Sequence, residues 1–244
     1  MSAHNDSARI YLIPSIIAPE TQDQVITGQI RQVISKVDYY LVENIRTARR
    51  FISSFKIREV SSVEFRVFDK DTTELQFSGL LAPVLEGIPA GIISEAGCPA
   101  VADPGSRIVR WAHRNLIRVV PLTGPSSIIL ALMGSGMNGQ HFEFHGYLPI
   151  DKQQRMKKIQ FLERESFKTG KCQIFMETPY RNAVMAESLI QHCQGDTSIC
   201  FASDLTSGNE TIITKTVNQW KRHLPEVQKR PTIFLLQAKS KFFE

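Results

Sequence analysis

The chain has 244 residues, of which 42% are hydrophobic and 22% are charged. This balance is typical of a folded globular protein and excludes a disordered or fibrous chain. The length allows one large domain or two small ones. The net charge of +5 is compatible with a polyanionic partner but does not require one.

Several simple patterns limit where the protein works. No uninterrupted apolar run reaches the ~18 residues that a membrane span needs. The start of the chain, Met1 to Arg9, is polar and predicts no secretion signal. The four cysteines form no CxxC pair and have no zinc-like spacing with the histidines, so we expect reduced thiols that fill space in the core. Together these features predict a cytoplasmic protein with no metal site and no membrane association.

Strand-like and helix-like segments alternate through the first half of the chain. Short apolar runs rich in β-branched residues predict strands at 10–13, 39–42, 63–67, 91–93 and 117–122. Helical spacing of apolar residues predicts helices at 21–37, 46–55, 75–85 and 104–115. Thr21 and Gln24 are spaced as a capping box for the first of them. Such alternation favours a largely parallel sheet.

The second half contains more strands and follows a less regular order. Helices are predicted at 126–133, 151–164 and 182–193, with a short one around Trp220. Strands are predicted at 142–147, 173–176, 198–202, 211–215 and 232–237, which suggests a mixed sheet. Turn residues cluster at Thr123-Gly124-Pro125. We therefore predict two α/β lobes, an N-terminal one over 9–122 and a C-terminal one over 123–240.

Two loops that follow predicted strands are candidate ligand sites. Ser94 to Pro99 follows a buried strand, and open α/β sheets bind ligands at that end of their strands. Gly97 would allow a close approach, and Ser94 and Glu95 could hydrogen-bond a ribose or an amine. Thr123 to Ser127 opens a helix, and its free backbone N–H groups and hydroxyls suit a carboxylate. A plain turn in the first loop and ordinary helix capping in the second are the open alternatives.

Charged residues follow two other strands and cover one helix. Glu43 and Arg46 lie three residues apart after the second strand, and share a helical face or form a surface ion pair. The segment from Glu177 to Arg181 follows the strand 173–176 and repeats the pattern of polar residues at the carboxyl end of a strand, with a plain loop as the open alternative. The helix 151–164 offers a solvated face or a phosphate-contacting patch, through a basic set of Lys152, Arg155, Lys157, Lys158 and Arg164.

The absence of common motifs narrows the choice of chemistry. No GxGxxG follows the first strand, where Pro14-Ser15-Ile16-Ile17 stands instead, and this disfavours a Rossmann dehydrogenase. The sequence also has no GxxxxGK[ST] phosphate loop, no HExxH and no GxSxG. Asp103 and Glu95 could form a carboxylate pair, but Asp103 precedes Pro-Gly and is expected to cap its helix.

Three segments carry a family resemblance. They are Ile93-Ser94-Glu95-Ala96-Gly97-Cys98-Pro99 with Ala102-Asp103-Pro104-Gly105, then 118–127 (Arg-Val-Val-Pro-Leu-Thr-Gly-Pro-Ser-Ser), then His145-Gly146-Tyr147-Leu148-Pro149. In this order they resemble the tetrapyrrole methylase superfamily, the class III S-adenosylmethionine-dependent methyltransferases. Within it they are most similar to the ribosomal RNA small-subunit methyltransferase I group, which methylates a cytidine ribose 2′-hydroxyl.

The resemblance implies a two-lobed fold, a homodimer and S-adenosylmethionine held in a cleft between the lobes. It implies these cofactor-binding residues: Ile17, Ser94, Glu95, Ala96, Gly97, Ser126, Ser127, Met176, Leu205, Pro231 and Thr232. Our hypothesis for catalysis is that Glu43, Arg46, Glu177 or Arg181 orients the methyl acceptor. Of the two carboxylates, either Glu43 or Glu177 would accept the proton.

The sequence departs from the family pattern mainly where the substrate is expected. Pro14 to Pro19 replaces Pro-Thr-Pro-Ile-Gly-Asn, Asn44-Ile45 replaces Asp-Thr, and Lys70 to Thr72 replaces His-Asn-Glu. Lys229 to Pro231 replaces Lys-Gly-Glu, and Glu95 replaces Asp. Methyl transfer is therefore better supported than rRNA as the substrate. The alternatives are a small-molecule acceptor such as a tetrapyrrole, or a non-catalytic RNA-binding homologue.

Overall fold

A computed structural model describes residues 8–240. Residues 1–7, which carry most of the expectation that no secretion signal is present, lie outside this range. The chain divides into two compact units between Ser126 and Ser127, a few residues beyond the boundary predicted after Leu122. The fold class is α/β, with one five-stranded parallel sheet and one five-stranded mixed sheet, as the sequence predicts.

The first unit is built on the parallel sheet, whose strand order is β3-β2-β4-β1-β5. Its strands are β1 (Arg9–Ile13), β2 (Tyr39–Val42), β3 (Glu64–Val67), β4 (Ala90–Ile93) and β5 (Arg118–Pro121). Its helices are α1 (Gln22–Val25), α2 (Gly28–Ile34), α3 (Ile45–Ser54), α4 (Glu74–Leu85) and α5 (Gly105–Arg114), with a 3-10 turn at Val60–Ser62.

Side chains alternate across this sheet and bury two apolar clusters. Tyr40 and Val42 of β2 belong to one cluster, which includes residues of α2 and α3. Tyr39 and Leu41 belong to the other, which includes residues of α4 and α5. Because both faces of β2 are buried, the strand is a continuous apolar run, as expected for a parallel sheet covered on both sides.

The prediction of one helix from Thr21 to Val37 is wrong, because the chain forms two short helices there. The Thr21 hydroxyl donates to the Ala18 carbonyl at 2.8 Å and caps no backbone N–H, so the predicted capping box is absent. Ile26 is extended after α1. Thr27 then starts α2, where its hydroxyl accepts from the Ile30 N–H at 3.4 Å. Two successive β-branched residues favour this extended break over a continuous helix.

The second unit is built on the mixed sheet, whose order is β6-β7-β10-β8-β9. β6 and β7 are parallel, whereas β10 is antiparallel to β7 and β8, and β8 is antiparallel to β9. The strands are β6 (Phe142–Tyr147), β7 (Cys172–Met176), β8 (Ser198–Ser203), β9 (Thr211–Thr216) and β10 (Thr232–Gln237). The helices are α6 (Ser127–Ser135), α7 (Lys152–Thr169), α8 (Asn182–His192) and α9 (Val217–Trp220), with a 3-10 turn at Pro179–Arg181.

Helix α7 differs from its prediction in length and in the role of one arginine. The Asp151 carboxylate accepts from the Gln154 N–H at 2.9 Å at its start, and the helix ends at the left-handed residue Gly170, beyond the predicted end at Arg164. Arg155 is buried, and its Nε donates to Ser188 Oγ at 3.1 Å. Its Nη1 donates to the Ile150 carbonyl at 2.7 Å. Arg155 therefore does not belong to a basic surface patch.

Residues 8–240 contain neither a membrane-spanning helix nor a cluster of metal-ligating side chains. No helix there is both long and apolar enough to cross a membrane. No group of three His, Cys, Asp or Glu residues in that range could hold a metal ion. The four cysteines are free thiols, and three of them are buried.

Candidate active site

The loop after β4 is fastened to the segment after β1. The Ser15 N–H donates to the Gly97 carbonyl at 2.9 Å, and the Ser15 hydroxyl donates to the Ser94 carbonyl at 3.1 Å. Gly97 has a φ of +70°, a conformation that costs glycine little and other residues more. Because β1 and β4 are parallel neighbours, their carboxyl ends meet at one edge of the sheet.

Within this loop only two of the predicted ligand residues face solvent. Ser94 and Gly97 are buried, whereas Glu95 and Ala96 are exposed. The Ser94 hydroxyl donates inside the loop, to the Gly97 carbonyl at 3.3 Å. The Ser94 side chain therefore shapes the loop, and the Glu95 carboxylate is the group available to a ligand.

The segment after β5 reaches the same edge. The Cys98 thiol donates to the Pro125 carbonyl at 3.3 Å, and that carbonyl would lie 3.4 Å from a Cβ added to Gly97. Ile17, after β1, lies against the same glycine, with its Cγ1 4.0 Å from that Cβ position. The predicted residues Ile17, Glu95 and Gly97 therefore come together at the carboxyl ends of β1 and β4, next to Pro125.

Glu43 follows β2 and completes this edge from the other side. Its carboxylate accepts a hydrogen bond from the Glu95 backbone, yet its pKa is raised, first by burial and then by the negative charge of Asp103. Among residues 8–240, no cation pairs with Glu43. The Asn44 side chain accepts from the Arg46 and Thr47 N–H groups at 2.9 and 3.3 Å and so starts α3 immediately afterwards. The Thr47 hydroxyl donates to Glu95 Oε2 at 3.5 Å.

Asp103, which the sequence predicts to cap its helix, also brings its negative charge to this cluster. One carboxylate oxygen accepts from the Ala100 and Gly105 N–H groups at 2.9 and 2.7 Å, so it does bind the first N–H of α5. Its other oxygen is buried without a hydrogen-bond partner among the described residues, and burial raises the pKa of the carboxyl group. The Asp-Pro-Gly turn signalled the cap, but nothing in the sequence signalled the charge placed near Glu43.

In the second unit, four predicted cofactor residues lie at one end of the sheet. Met176 ends β7 and Thr232 begins β10, and Met176 is paired with Ile233. Thr232 Oγ1 lies 2.8 Å from Ser203 Oγ at the end of β8. The Pro231 carbonyl accepts from the Asp204 N–H at 2.9 Å, directly before the buried Leu205.

Glu177 and Arg181 form a partly buried ion pair beside this end. Arg181 Nη2 lies 2.8 Å from Glu177 Oε2, although the two atoms are not aligned as a hydrogen bond. The other carboxylate oxygen accepts from the Thr178 N–H at 2.7 Å. The Glu177 side chain is 2% exposed and the Arg181 side chain 29% exposed, so the carboxylate is buried while the guanidinium stays partly accessible.

Arg230 stands where the family pattern has glycine, and all three nitrogens of its guanidinium donate hydrogen bonds within the protein. Its Nε donates to Asp204 Oδ2 at 2.6 Å, and its Nη2 donates to Thr211 Oγ1 at 3.0 Å. Arginine in place of glycine at this position therefore gives up the conformational freedom of glycine. It adds side-chain contacts between the residues before β10 and the segment from Asp204 to Thr211.

The remaining predicted residues are Arg46, Ser126 and Ser127. Arg46 is exposed in the first turn of α3. Ser126 ends the first unit, and Ser127 is the first residue of α6 in the second.

No protein-family model matches the chain. Curated proteins named ribosomal RNA small subunit methyltransferase I do match it. The protein from Vibrio cholerae is 29% identical over 208 residues, which cover 85% of this chain and 68% of that protein. The chain is similar to this methyltransferase group over most of its length.

Other members of the group match to a similar extent. The protein of the same name from Escherichia coli O157:H7 is 29% identical, over 86% of this chain and 70% of its own length. The one from Micromonospora olivasterospora is 30% identical, over 87% of this chain and 64% of its own length. The group is a tetrapyrrole methylase family, so the resemblance carried by the segments around Gly97, Gly124 and Gly146 extends to most of the chain.

Proposed function

We propose that the chain is an S-adenosylmethionine-dependent methyltransferase that acts on RNA of the small ribosomal subunit. The observation that carries the proposal is the match to methyltransferases of that name over 85% of the chain. The strand-end cluster around Glu43 and Glu95 supports it, because ligands of open α/β sheets bind at such ends. By the family resemblance, the acceptor is a ribose 2′-hydroxyl.

The residues at the two strand ends fit this cofactor in their chemistry. We assign the exposed Glu95 carboxylate to the ribose hydroxyls, together with the backbone of Ala96 and Gly97. The start of α6 at Ser127, with Ser126 before it, supplies N–H groups suited to a carboxylate. We assign the further contacts to Ile17, Ser94, Met176, Leu205, Pro231 and Thr232. When bound, S-adenosylmethionine supplies a methyl group already activated on its sulfonium.

The chain's own residues then have to orient the acceptor and take its proton. Positioning is a large part of such catalysis because the donor is already reactive. We assign proton acceptance to Glu43, whose raised pKa makes it a stronger base than an ordinary carboxylate. We assign orientation of the acceptor to Arg46 and to the Glu177–Arg181 pair. We further propose that the protein is a cytoplasmic homodimer, as the resemblance implies.

The first test is calorimetric titration of the purified protein with S-adenosylmethionine. We expect binding that a Ser126→Trp variant loses, because the indole would crowd the N–H groups at the start of α6 that we assign to the cofactor carboxylate. A Ser78→Trp variant, at an exposed position of α4, should bind as the wild type does. Transfer of labelled methyl to small ribosomal subunits that lack this modification then tests the acceptor.

Each outcome has a definite meaning. Absence of cofactor binding by the wild type would overturn the methyltransferase proposal. Cofactor binding with transfer to a tetrapyrrole but not to ribosomal subunits would keep the enzyme class and overturn the RNA substrate.

A further inference from the structure

The outer face of α3 carries a row of arginines. Arg46, Arg49 and Arg50 are spaced at i, i+3 and i+4, which places them on one side of a helix, and all three are exposed. The opposite side of α3 buries Ala48, Phe51 and Ile52 in the core of the first unit. We call the exposed set the α3 arginine face.

No carboxylate neutralises this face. The sequence from Asn44 to Arg58 contains no Asp or Glu. Within the described range, none of the three arginines forms an ion pair, and the Arg49 guanidinium lies over the Phe65 ring at 5.6 Å from its centroid. Arg58, by contrast, is committed to the fold, because its guanidinium bonds Asp38 and the Ile34 and Val37 carbonyls.

On helix α7, by contrast, several cations are buried or already contact other side chains. Arg155 is buried. Lys158 lies over the Phe161 ring at 5.2 Å, and Lys168 lies 3.7 Å from Glu165. Only Lys152, Lys157 and Arg164 stay exposed without a partner along this 18-residue helix. Arg46, Arg49 and Arg50 lie within five residues, and of these only Arg49 contacts a ring, so exposed cations are more closely spaced on α3 than on α7.

The α3 arginine face begins at the candidate active site. α3 starts two residues after Glu43, and the hydroxyl of Thr47 in its first turn contacts the Glu95 carboxylate at 3.5 Å. Arg49 and Arg50 follow Thr47 within one turn, ~5 Å along the helix axis. A chain of phosphates lying on this face would therefore lead directly to the loop that carries Glu95.

We propose that the α3 arginine face is the docking surface for the phosphate backbone of the RNA substrate. This inference rests on the proposed function, and it adds where the RNA lies. Guanidinium groups bind phosphate oxygens through paired hydrogen bonds, and a row of them without carboxylates suits a polyanion. A small acceptor would gain nothing from cations that continue along the helix away from the loop.

The test is an Arg49→Gln/Arg50→Gln double variant, which leaves Arg46 in place. Binding to a fluorescent single-stranded RNA of about 20 nucleotides is measured by anisotropy over a series of salt concentrations. We expect the dissociation constant to rise by on the order of tenfold at low salt. The slope of log affinity against log salt should fall by about 1.4, since each phosphate contact contributes about 0.7.

Two matched variants test whether RNA binding depends on the α3 arginine face itself or only on the net charge of the protein. Lys157→Gln/Arg164→Gln on α7 removes the same number of charges from exposed positions of the other unit and should leave binding near the wild-type value. Arg49→Lys/Arg50→Lys should retain most of the salt slope, because lysine still binds phosphate as a point charge. Unchanged thermal unfolding of each variant shows that the fold is retained.

Failure of the inference and failure of the proposed function give different results. If the wild type methylates ribosomal subunits and the α3 double variant binds RNA as well as the α7 double variant does, the docking surface is wrong and the function stands. If the wild type neither binds S-adenosylmethionine nor transfers methyl, the function itself is wrong.

Discussion

Glu43 and Glu177 each follow a strand, yet among the described residues only Glu177 has a cation beside it. Glu43 has no cation partner among the described residues, and burial and the Asp103 charge raise its pKa. Glu177 is paired with Arg181, whose Nη2 lies 2.8 Å from Glu177 Oε2. A carboxylate that readily accepts a proton is the better general base, which favours Glu43.

Substitution of each glutamate by glutamine distinguishes a general base at Glu43 from an ion-pair partner at Glu177. We expect Glu43→Gln to lower kcat by about a hundredfold, which is within the range for loss of a general base. Glu177→Gln should lower the free energy of unfolding, because it leaves the Arg181 charge without its partner. It should lower kcat by a smaller factor than Glu43→Gln does. Glu187→Gln, at an exposed position of α8, is the control. Losses smaller than tenfold in both variants would remove both carboxylates from the catalytic step.

The pH profile of kcat is the second readout for Glu43. The raised pKa means that the base becomes ionised only at a higher pH than an ordinary glutamate, so kcat should rise with pH through that range. The Glu43→Gln variant should lose this limb of the profile. An unchanged profile in the variant would show that another group accepts the proton.

At the scale of single elements, α7 shows how a basic helix can be misjudged from its sequence. Its cations look equivalent in the sequence, but Arg155 packs inside the second unit and bonds Ser188 and the Ile150 carbonyl. The reason is geometric, since Arg155 shares a helix face with Ile159, Leu162 and Ser166, which are all buried. Arg155 is therefore a structural residue that joins α7 to α8.

A pair of substitutions on α7 checks this assignment. We expect Arg155→Gln to lower the free energy of unfolding by about 2–3 kcal/mol, because two hydrogen bonds from a charged group are lost in a buried place. Lys157→Gln, two residues away and exposed, should change it by less than about 0.5 kcal/mol. Urea titration of the two variants measures the difference. Equal values would contradict the buried role of Arg155.

The spacing of apolar residues predicted the strands and helices correctly where burial determines the structure. It failed where local backbone conformation and side-chain capping determine it. The continuous apolar runs of β2 and β10 were placed correctly because both faces of these strands are covered. The break at Ile26 and Thr27 was missed because its apolar spacing still fits a helix. At the site, the loop after β4 could be placed from its strand, but the approach of Asp103 to Glu43 joins residues 60 positions apart and leaves no local pattern.

At the scale of the whole molecule, the proposed cofactor residues come from both units. We expect Glu95→Ala in the first unit and Thr232→Val in the second each to weaken S-adenosylmethionine binding about tenfold, a cost of ~1.4 kcal/mol. Glu86→Ala, at an exposed position after α4, should have no effect. Calorimetry measures all three. Loss in only one of the two units would confine the cofactor to that unit.

The place of β1 in its sheet has a consequence for how the protein is made. Among the strands of the described residues, β1 leaves the ribosome before the others, yet its two partners are β4 and β5. The apolar segment Tyr11 to Ile13 must therefore wait while about 80 further residues are translated to reach its partner Ile93, roughly 4–16 s at usual elongation rates. During that interval it is a target for chaperones and for aggregation. Slower translation would lengthen this exposure, so the yield of folded protein should depend on the elongation rate over residues 14–93.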